Sequence, residues 1–171
     1  MEGLSAPLAH VVLHEPEIPN NTGNIGRTCV ALGASLHLIH PLGFDIDEKA
    51  CRRAGLDYWP RLSVREHESF ERYREDAAPP RLWALTTRAT RSVFDVDLRR
   101  GDHVLFGRES RGLPDALLDA VGDRCVSLPM LAGERSLNLS NAVCVVLYEI
   151  ARRAREAGEA TIDAGGRLRL D

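Results

Sequence analysis

The apolar positions of this chain fall into short runs separated by stretches of helical period, the alternation of an α/β protein. Ala9-His10-Val11-Val12-Leu13-His14, ended by Pro16, and the alternating stretch from Ser35 to His40 read as strands. Between them Ile25, Cys29, Val30 and Leu32 recur on one side of a helix that Asn21 or Thr22 can cap and Gly33 can end, giving a strand-helix-strand unit. Further strands are predicted at Arg61 to Val64, Arg81 to Thr86, His103 to Phe106 and Arg124 to Leu128, and helices over Glu66 to Glu75 and Pro114 to Val121. This order implies a single-domain parallel sheet flanked by helices. From Leu139 to Ala157, Val143, Val146, Leu147 and Ile150 share one side, and Arg152, Arg153 and Arg155 stand near the end, where cations complement the helix dipole. That segment predicts a packed C-terminal helix. After Gly158 the sequence thins to Gly165-Gly166 and charged residues, which predicts a flexible tail over 158–171.

Composition narrows the class. The 171 residues are 44% hydrophobic and 27% charged, enough to bury one core and too apolar for disorder. No apolar run approaches the roughly 18–20 residues that span a bilayer, and Met1 to His10 lacks the basic start of a signal peptide, so a cytoplasmic protein without a membrane partner is expected. Cys29, Cys51, Cys125 and Cys144 lie far apart with no zinc-type spacing; neither a disulfide nor a metal is expected. A net charge of -3 argues against indiscriminate binding to nucleic acid and leaves local patches. Lys49 is the only lysine among 22 basic residues, and arginine is the better planar phosphate ligand. A codon bias toward arginine accounts for the overall excess, so each cluster carries weight only through its position.

Three segments hold more Gly, Pro, Asn and Ser than connections require. Each follows a predicted strand, where open α/β sheets bind ligands. The first, Glu15 to Arg27, is a Pro-bounded loop that delivers amides and Arg27 to a helix N-terminus, a suitable phosphate site. An N-cap with a solvated arginine explains the same residues. Gly23 and Gly26 do not form GxGxxG and no Walker lysine follows, which sets dinucleotide and P-loop chemistry aside. The second, Leu105 to Pro114, carries Gly107 and Gly112 before a helix opened by proline, so that backbone can approach a ligand closely. Glu109 there either caps the helix or accepts hydrogen bonds from a polar ligand. Ser110 is not set in a GxSxG elbow, which argues against a nucleophile. The third, Leu128 to Asn141, is polar yet leads into the most apolar helix, so its Ser and Asn side chains are expected to be partly buried and hydrogen-bonded. Ser140 and Asn141 read as loop ties and caps; for Ser136 and Asn138, loop-tying and ligand binding stand about level.

In this order and at these separations, the three segments resemble the motifs of the SPOUT superfamily of RNA methyltransferases. Glu15 to Arg27, Arg52-Arg53-Ala54-Gly55-Leu56-Asp57-Tyr58, Ala84-Leu85-Thr86-Thr87 and Ser136 to Val143 resemble its TrmL (YibK-like) branch of tRNA wobble-nucleotide ribose 2'-O-methyltransferases. The resemblance implies a methyltransferase domain over residues 1–157 whose C-terminal part is threaded into a deep trefoil knot, a feature that no periodicity reveals. It implies S-adenosylmethionine as methyl donor, held by Leu85, Gly107, Leu128 and Ser136, with Arg27, Asn21, Glu109 and Asn138 as the catalytic set. It implies a homodimer built on the knot region and the C-terminal helix, each site completed by the partner, and no metal. With no separate RNA-binding domain, tRNA is expected on the dimer surface, at Arg27, Arg52, Arg53 and Arg88.

A methyl sulfonium is already electrophilic, so such an enzyme must chiefly place it in line with a ribose oxygen and help that oxygen lose its proton. Arg27, at the start of its helix, is expected to point toward the transferring methyl group, bind an adjacent phosphate and stabilise the developing alkoxide, while the proton leaves through phosphate or water. The resemblance also allows Arg27 as the general base, a role that the high intrinsic pKa of arginine disfavours. The rival readings are a ribose methyltransferase acting at another tRNA or rRNA site, a non-catalytic knotted RNA-binding factor, and a small nucleotide-binding or hydrolytic α/β protein. Only the methyltransferase readings require S-adenosylmethionine to bind while ATP and NAD do not.

Overall fold

The apolar runs pair side by side into one parallel sheet in the computed structural model, which describes residues 6–46 and 56–171. In chain order the elements are β1 (His10–His14), α1 (Pro19–Leu32), β2 (Ser35–Ile39), β3 (Val64–His67), α2 (Phe70–Ala77), β4 (Leu82–Leu85) and β5 (His103–Phe106). They continue with α3 (Asp115–Val121), β6 (Cys125–Val126), α4 (Leu139–Glu156) and the short strands β7 (Ala160–Ile162) and β8 (Leu168–Leu170). The six-stranded sheet runs β3-β2-β1-β5-β4-β6. Central β1 places Val11 beside Leu36 and Val104, and a one-residue step along it changes the face. Val11 and Leu13 thus join the core against α1 and α4, with Ile25, Cys29, Val143 and Ile150. Val12 joins a second core against α2 and α3, with Phe70, Tyr73, Leu105 and Leu113. Burial on both faces explains why β1 and β5 read as continuous apolar runs.

The element ends are set by local chemistry, and here several expectations shift. Helix α1 starts at Pro19, whose fixed φ suits the first helical position; Ile18 precedes it without a side-chain cap, and Asn21 and Thr22 lie buried inside the helix rather than capping it. Gly33 ends it in the left-handed conformation, as expected (φ 70°). The strand expected at Arg61 to Val64 is instead a single turn at Trp59–Arg61, which contains Pro60, followed by β3 at Val64–His67. Helix α2 begins four residues later than expected because the Ser69 hydroxyl accepts from the Arg72 amide at 3.2 Å and caps it there.

Residues 158–171, for which the sequence predicts a flexible tail, form the antiparallel β7–β8 hairpin. The Asp163 carboxylate organises its turn by accepting from the amides of Gly165 and Arg167, each at 2.9 Å. Ala160 is buried against α4, and Arg100 donates to the carbonyls of Ala6 at 2.8 Å and Glu159 at 2.9 Å. The Gly-Gly pair is therefore part of a hairpin connection. Among the described residues no helix is long and apolar enough to cross a membrane.

Candidate active site

The C-terminal ends of β4, β5 and β6 and the first turns of α1 and α4 open onto a cavity of about 620 Å³, a size suited to a cofactor or nucleotide. Leu85, Gly107, Glu109, Leu128, Ser136 and Asn138 line it together with Asn21 and Arg88. The three polar segments thus meet in one place although 117 residues separate Asn21 from Asn138. Phe106 and Met130 add apolar wall and Thr86 a hydroxyl. All three fall inside the marked segments or motifs, yet none is among the expected site residues, because nothing in their spacing distinguishes them from their neighbours.

Gly107 is needed for a different reason from the one expected. A Cβ there would lie 2.2 Å from the Gly112 carbonyl carbon and 2.4 Å from the Leu113 nitrogen, so the close approach is to the protein's own returning loop. Arg108 and Gly112 close that loop with reciprocal backbone hydrogen bonds of 3.3 and 2.9 Å. Gly112 adopts φ 69°, which suits glycine.

Glu109 does not cap the helix that follows it. Its Oε2 accepts from the Glu17 amide at 2.8 Å, and its Oε1 from the Ile18 amide and Asn21 Nδ2, each at 3.2 Å. Glu17 returns the arrangement by accepting from the amide and the hydroxyl of Ser110, each at 2.9 Å. Two carboxylates thereby latch the first loop to the second. Asn21 Oδ1 in turn accepts from Asn138 Nδ2 at 3.0 Å. Asn138 Oδ1 caps α4 by accepting from the amides of Ser140 at 2.9 Å and Asn141 at 3.3 Å. A continuous polar chain Glu109–Asn21–Asn138 therefore ties all three loops. Of the Ser and Asn residues of the third loop only Ser140 is buried: residues 131–138 are exposed, Ser136 and Asn138 included, because the chain leaves the edge strand β6 and runs over the surface.

The arginines divide. Arg88 lines the cavity and is held there by an ion pair with Asp115 and by donating to the carbonyl of Leu113, another lining residue, at 3.2 Å. Arg27 does not line the cavity; it sits in the third turn of α1, not the first, and points outward. Its guanidinium lies over the Tyr58 ring, 4.6 Å from the centroid, and 3.6 Å from the Asp57 carboxylate. One helical turn is 5.4 Å, so a start at Pro19 carries Arg27 well beyond the loop end that lines the cavity. Arg52 and Arg53 lie outside the described residues.

A group the sequence did not predict lies on the α2 side of the sheet. His10, His37 and His103, from three strands, bring ring nitrogens within 4.8 Å of one another, the one grouping of this kind among the described residues that could hold a metal. Four of their six nitrogens already have partners: His10 Nδ1 and His37 Nε2 are 3.1 Å apart, His37 Nδ1 and His67 Nε2 3.0 Å, and His103 Nδ1 and the Tyr73 hydroxyl 2.7 Å. The rings of His10 and His103 stack 3.9 Å apart within 8° of parallel, and two stacked planes do not converge on one ion. Burial pushes His37 and His103 down to about 3, helped by repulsion from His10. This is a neutral, hydrogen-bonded core array, and only sheet register could bring it together.

Comparison with known proteins decides the family. The sequence profile of the SpoU rRNA Methylase family matches residues 9–148. The chain belongs to this family. A relative from Saccharophagus degradans, named tRNA (cytidine(34)-2'-O)-methyltransferase, is 48% identical over 150 residues, 87% of this chain and 97% of its own. Among solved structures, one described as giving structural insights into the 2-OH methylation of C/U34 on tRNA shares 45% identity and a TM-score of 0.79, covering 86% of this chain and 97% of that one. The SpoU methyltransferase AviRb from Streptomyces viridochromogenes, in complex with AdoMet, aligns at 29% identity with a TM-score of 0.72, over 86% of this chain and 60% of that one.

Proposed function

We propose that this SpoU family protein transfers a methyl group from S-adenosylmethionine to the ribose 2'-hydroxyl of the wobble nucleotide, cytidine or modified uridine, of tRNA. The observation that carries the reading is that Asn21, Leu85, Gly107, Glu109, Leu128, Ser136 and Asn138, from four separate segments, line one cavity in a chain 48% identical to a relative bearing that activity in its name. The cavity fits the donor: it is large enough, its wall of Leu85, Phe106, Leu128 and Met130 suits an adenine ring, and Ser136 and Asn138 offer polar groups. S-adenosylmethionine supplies the electrophilic methyl group. The Glu109–Asn21–Asn138 chain holds the three loops so that their backbone faces the donor in one geometry. Arg27 supplies a fixed positive charge that stabilises the ribose oxygen as it becomes an alkoxide and anchors the neighbouring phosphate.

Arg27 points away from its own cavity, which supports a homodimer in which it serves the partner's donor. The surface for that pairing is the exposed apolar set Leu137, Val145 and Tyr148, on and just before α4, and Leu131. The deep trefoil knot is part of the same reading, supported by the meeting of the loops after β4, β5 and β6 around one cavity. Mass spectrometry of nucleosides from tRNA treated with the protein and S-adenosylmethionine tests the assignment. A 2'-O-methylated wobble nucleotide is expected; ribose methylation elsewhere retains the chemistry and overturns the site, and no methylation overturns both.

A further inference from the structure

On the other flank of the first turns of α1 lies a second cavity of about 370 Å³. We infer that it seats one nucleobase of the substrate RNA, flat against Trp59 or Phe44; this rests on the RNA ribose methyltransferase reading above. The lining decides the chemistry of the occupant. Phe44 and Trp59 offer aromatic faces, Asn20 and Asn24 offer amides, Asp45 offers a carboxylate, and no described lining residue is basic. A phosphate is repelled by Asp45, whereas an uncharged ring with hydrogen-bonding edges suits every one of these groups, and an exocyclic amine can donate to Asp45. Thr22, which also lines the cavity, is 1% exposed and its hydroxyl has no hydrogen-bond partner within the protein.

Placement supports the same occupant. Asn20, Asn24 and Arg27 are spaced i, i+4, i+7 on α1 and are all exposed, so the cavity and the arginine share one helix face. A base held by the cavity puts its own sugar-phosphate chain along that face toward Arg27. The wall is also built rather than incidental. Trp59 packs on Gly26 of α1, where a Cβ would come within 3.0 Å of its ring. Gly43, next to Phe44, lies against Glu17, where its Cβ would meet the carbonyl oxygen at 2.8 Å, and its amide donates to the Pro16 carbonyl at 3.0 Å. The loop bearing Phe44 is thereby fixed to the loop latched by Glu109.

The test uses an anticodon stem-loop RNA, intact or with a single abasic ribose at each loop position in turn, with binding read by fluorescence anisotropy. Trp59→Ala is expected to weaken binding of the intact stem-loop by roughly 5- to 150-fold, the range for loss of one stacked base, and Trp59→Phe to keep most of the affinity. One abasic position should weaken the unmutated protein by a similar factor and cost Trp59→Ala nothing further, the non-additivity of two partners in one contact. Calorimetry with S-adenosylmethionine should give the same affinity in all three proteins. The inference is overturned if every abasic position costs Trp59→Ala as much as the unmutated protein, or if the variant loses S-adenosylmethionine instead, which would give the cavity to the donor. Phe44→Leu, read in the same way, replaces Trp59→Ala if that variant does not fold. Failure of the underlying reading looks different: the unmutated protein would then neither bind the intact stem-loop nor methylate it.

Discussion

Asn138 Nδ2 donates to Asn21 Oδ1 across 3.0 Å, joining residues 117 positions apart. The same Asn138 caps α4 through its other side-chain atom, so one amide both starts the long C-terminal helix and ties it to the first loop. The two duties can be separated. Asn138→Asp keeps the acceptor that caps the helix and loses the donor to Asn21; it should melt within a few degrees of the unmutated protein while methyl transfer falls roughly tenfold, the scale of one lost hydrogen bond. Asn138→Ala loses both, and its thermal unfolding should show an additional loss of about 1 kcal/mol from the cap. Equal melting of the two variants would refute the division.

Gly107→Val should abolish binding of S-adenosylmethionine in calorimetry and also lower the melting temperature. A side chain at this position overlaps the backbone of Gly112 and Leu113, so the whole 107–113 loop must move, at a cost of the order of the ~1–3 kcal/mol seen for overpacking. A variant that binds the donor with unchanged affinity would remove the loop from the site.

Stability should fall in acid over a window set by the histidine array. Unfolded histidines titrate near 6.5, whereas burial and mutual repulsion lower His37 and His103 to about 3 in the fold. Between those values the unfolded chain binds more protons, so stability is complete above pH 6.5 and is lost progressively as the pH drops toward 3. Urea unfolding followed across this range should report an uptake of about two protons on unfolding. His103→Gln should flatten the slope; an equally steep profile in that variant would assign the acid sensitivity elsewhere.

Arg27→Ala should leave the affinity for S-adenosylmethionine nearly unchanged, since Arg27 does not line the cavity, and cut methyl transfer by roughly 10²–10⁴. Arg27→Lys distinguishes two roles. Substantial activity indicates simple electrostatics, and a rate as low as that of alanine indicates that the planar fork, stacked on Tyr58, positions phosphate and hydroxyl together. Transfer at the unmutated rate in Arg27→Ala removes it from the mechanism.

Light scattering should give a dimer, and Tyr148→Asp should dissociate it. Tyr148 is 59% exposed on α4, and a carboxylate placed there is desolvated only if a second copy covers it. An active monomer of the unmutated protein would refute the pairing.

The periodicity of Ala9 to His14, Ser35 to His40, His103 to Phe106 and Leu139 to Ala157 was sufficient for a parallel α/β sheet and a C-terminal helix, because burial on one or both faces writes a local pattern into the chain. The Gly, Pro and Asn content of three loops marked the cavity for a related reason: tight turns and caps need particular residues at fixed spacing. What depends on separation in space left no such trace. The latch between Glu17 and Glu109 joins residues 92 apart, and the histidine array draws on three strands whose register alone aligns them. The orientation of Arg27 followed from where α1 starts, which Pro19 and not an Asn or Thr cap determined. The hairpin at 160–170 arose from the packing of Ala160 and the Asp163 turn in a stretch whose composition suggested neither. Local sequence carries the elements and their turns because those energies are local; the site's geometry and the second cavity exist only once the sheet brings distant loops against α1.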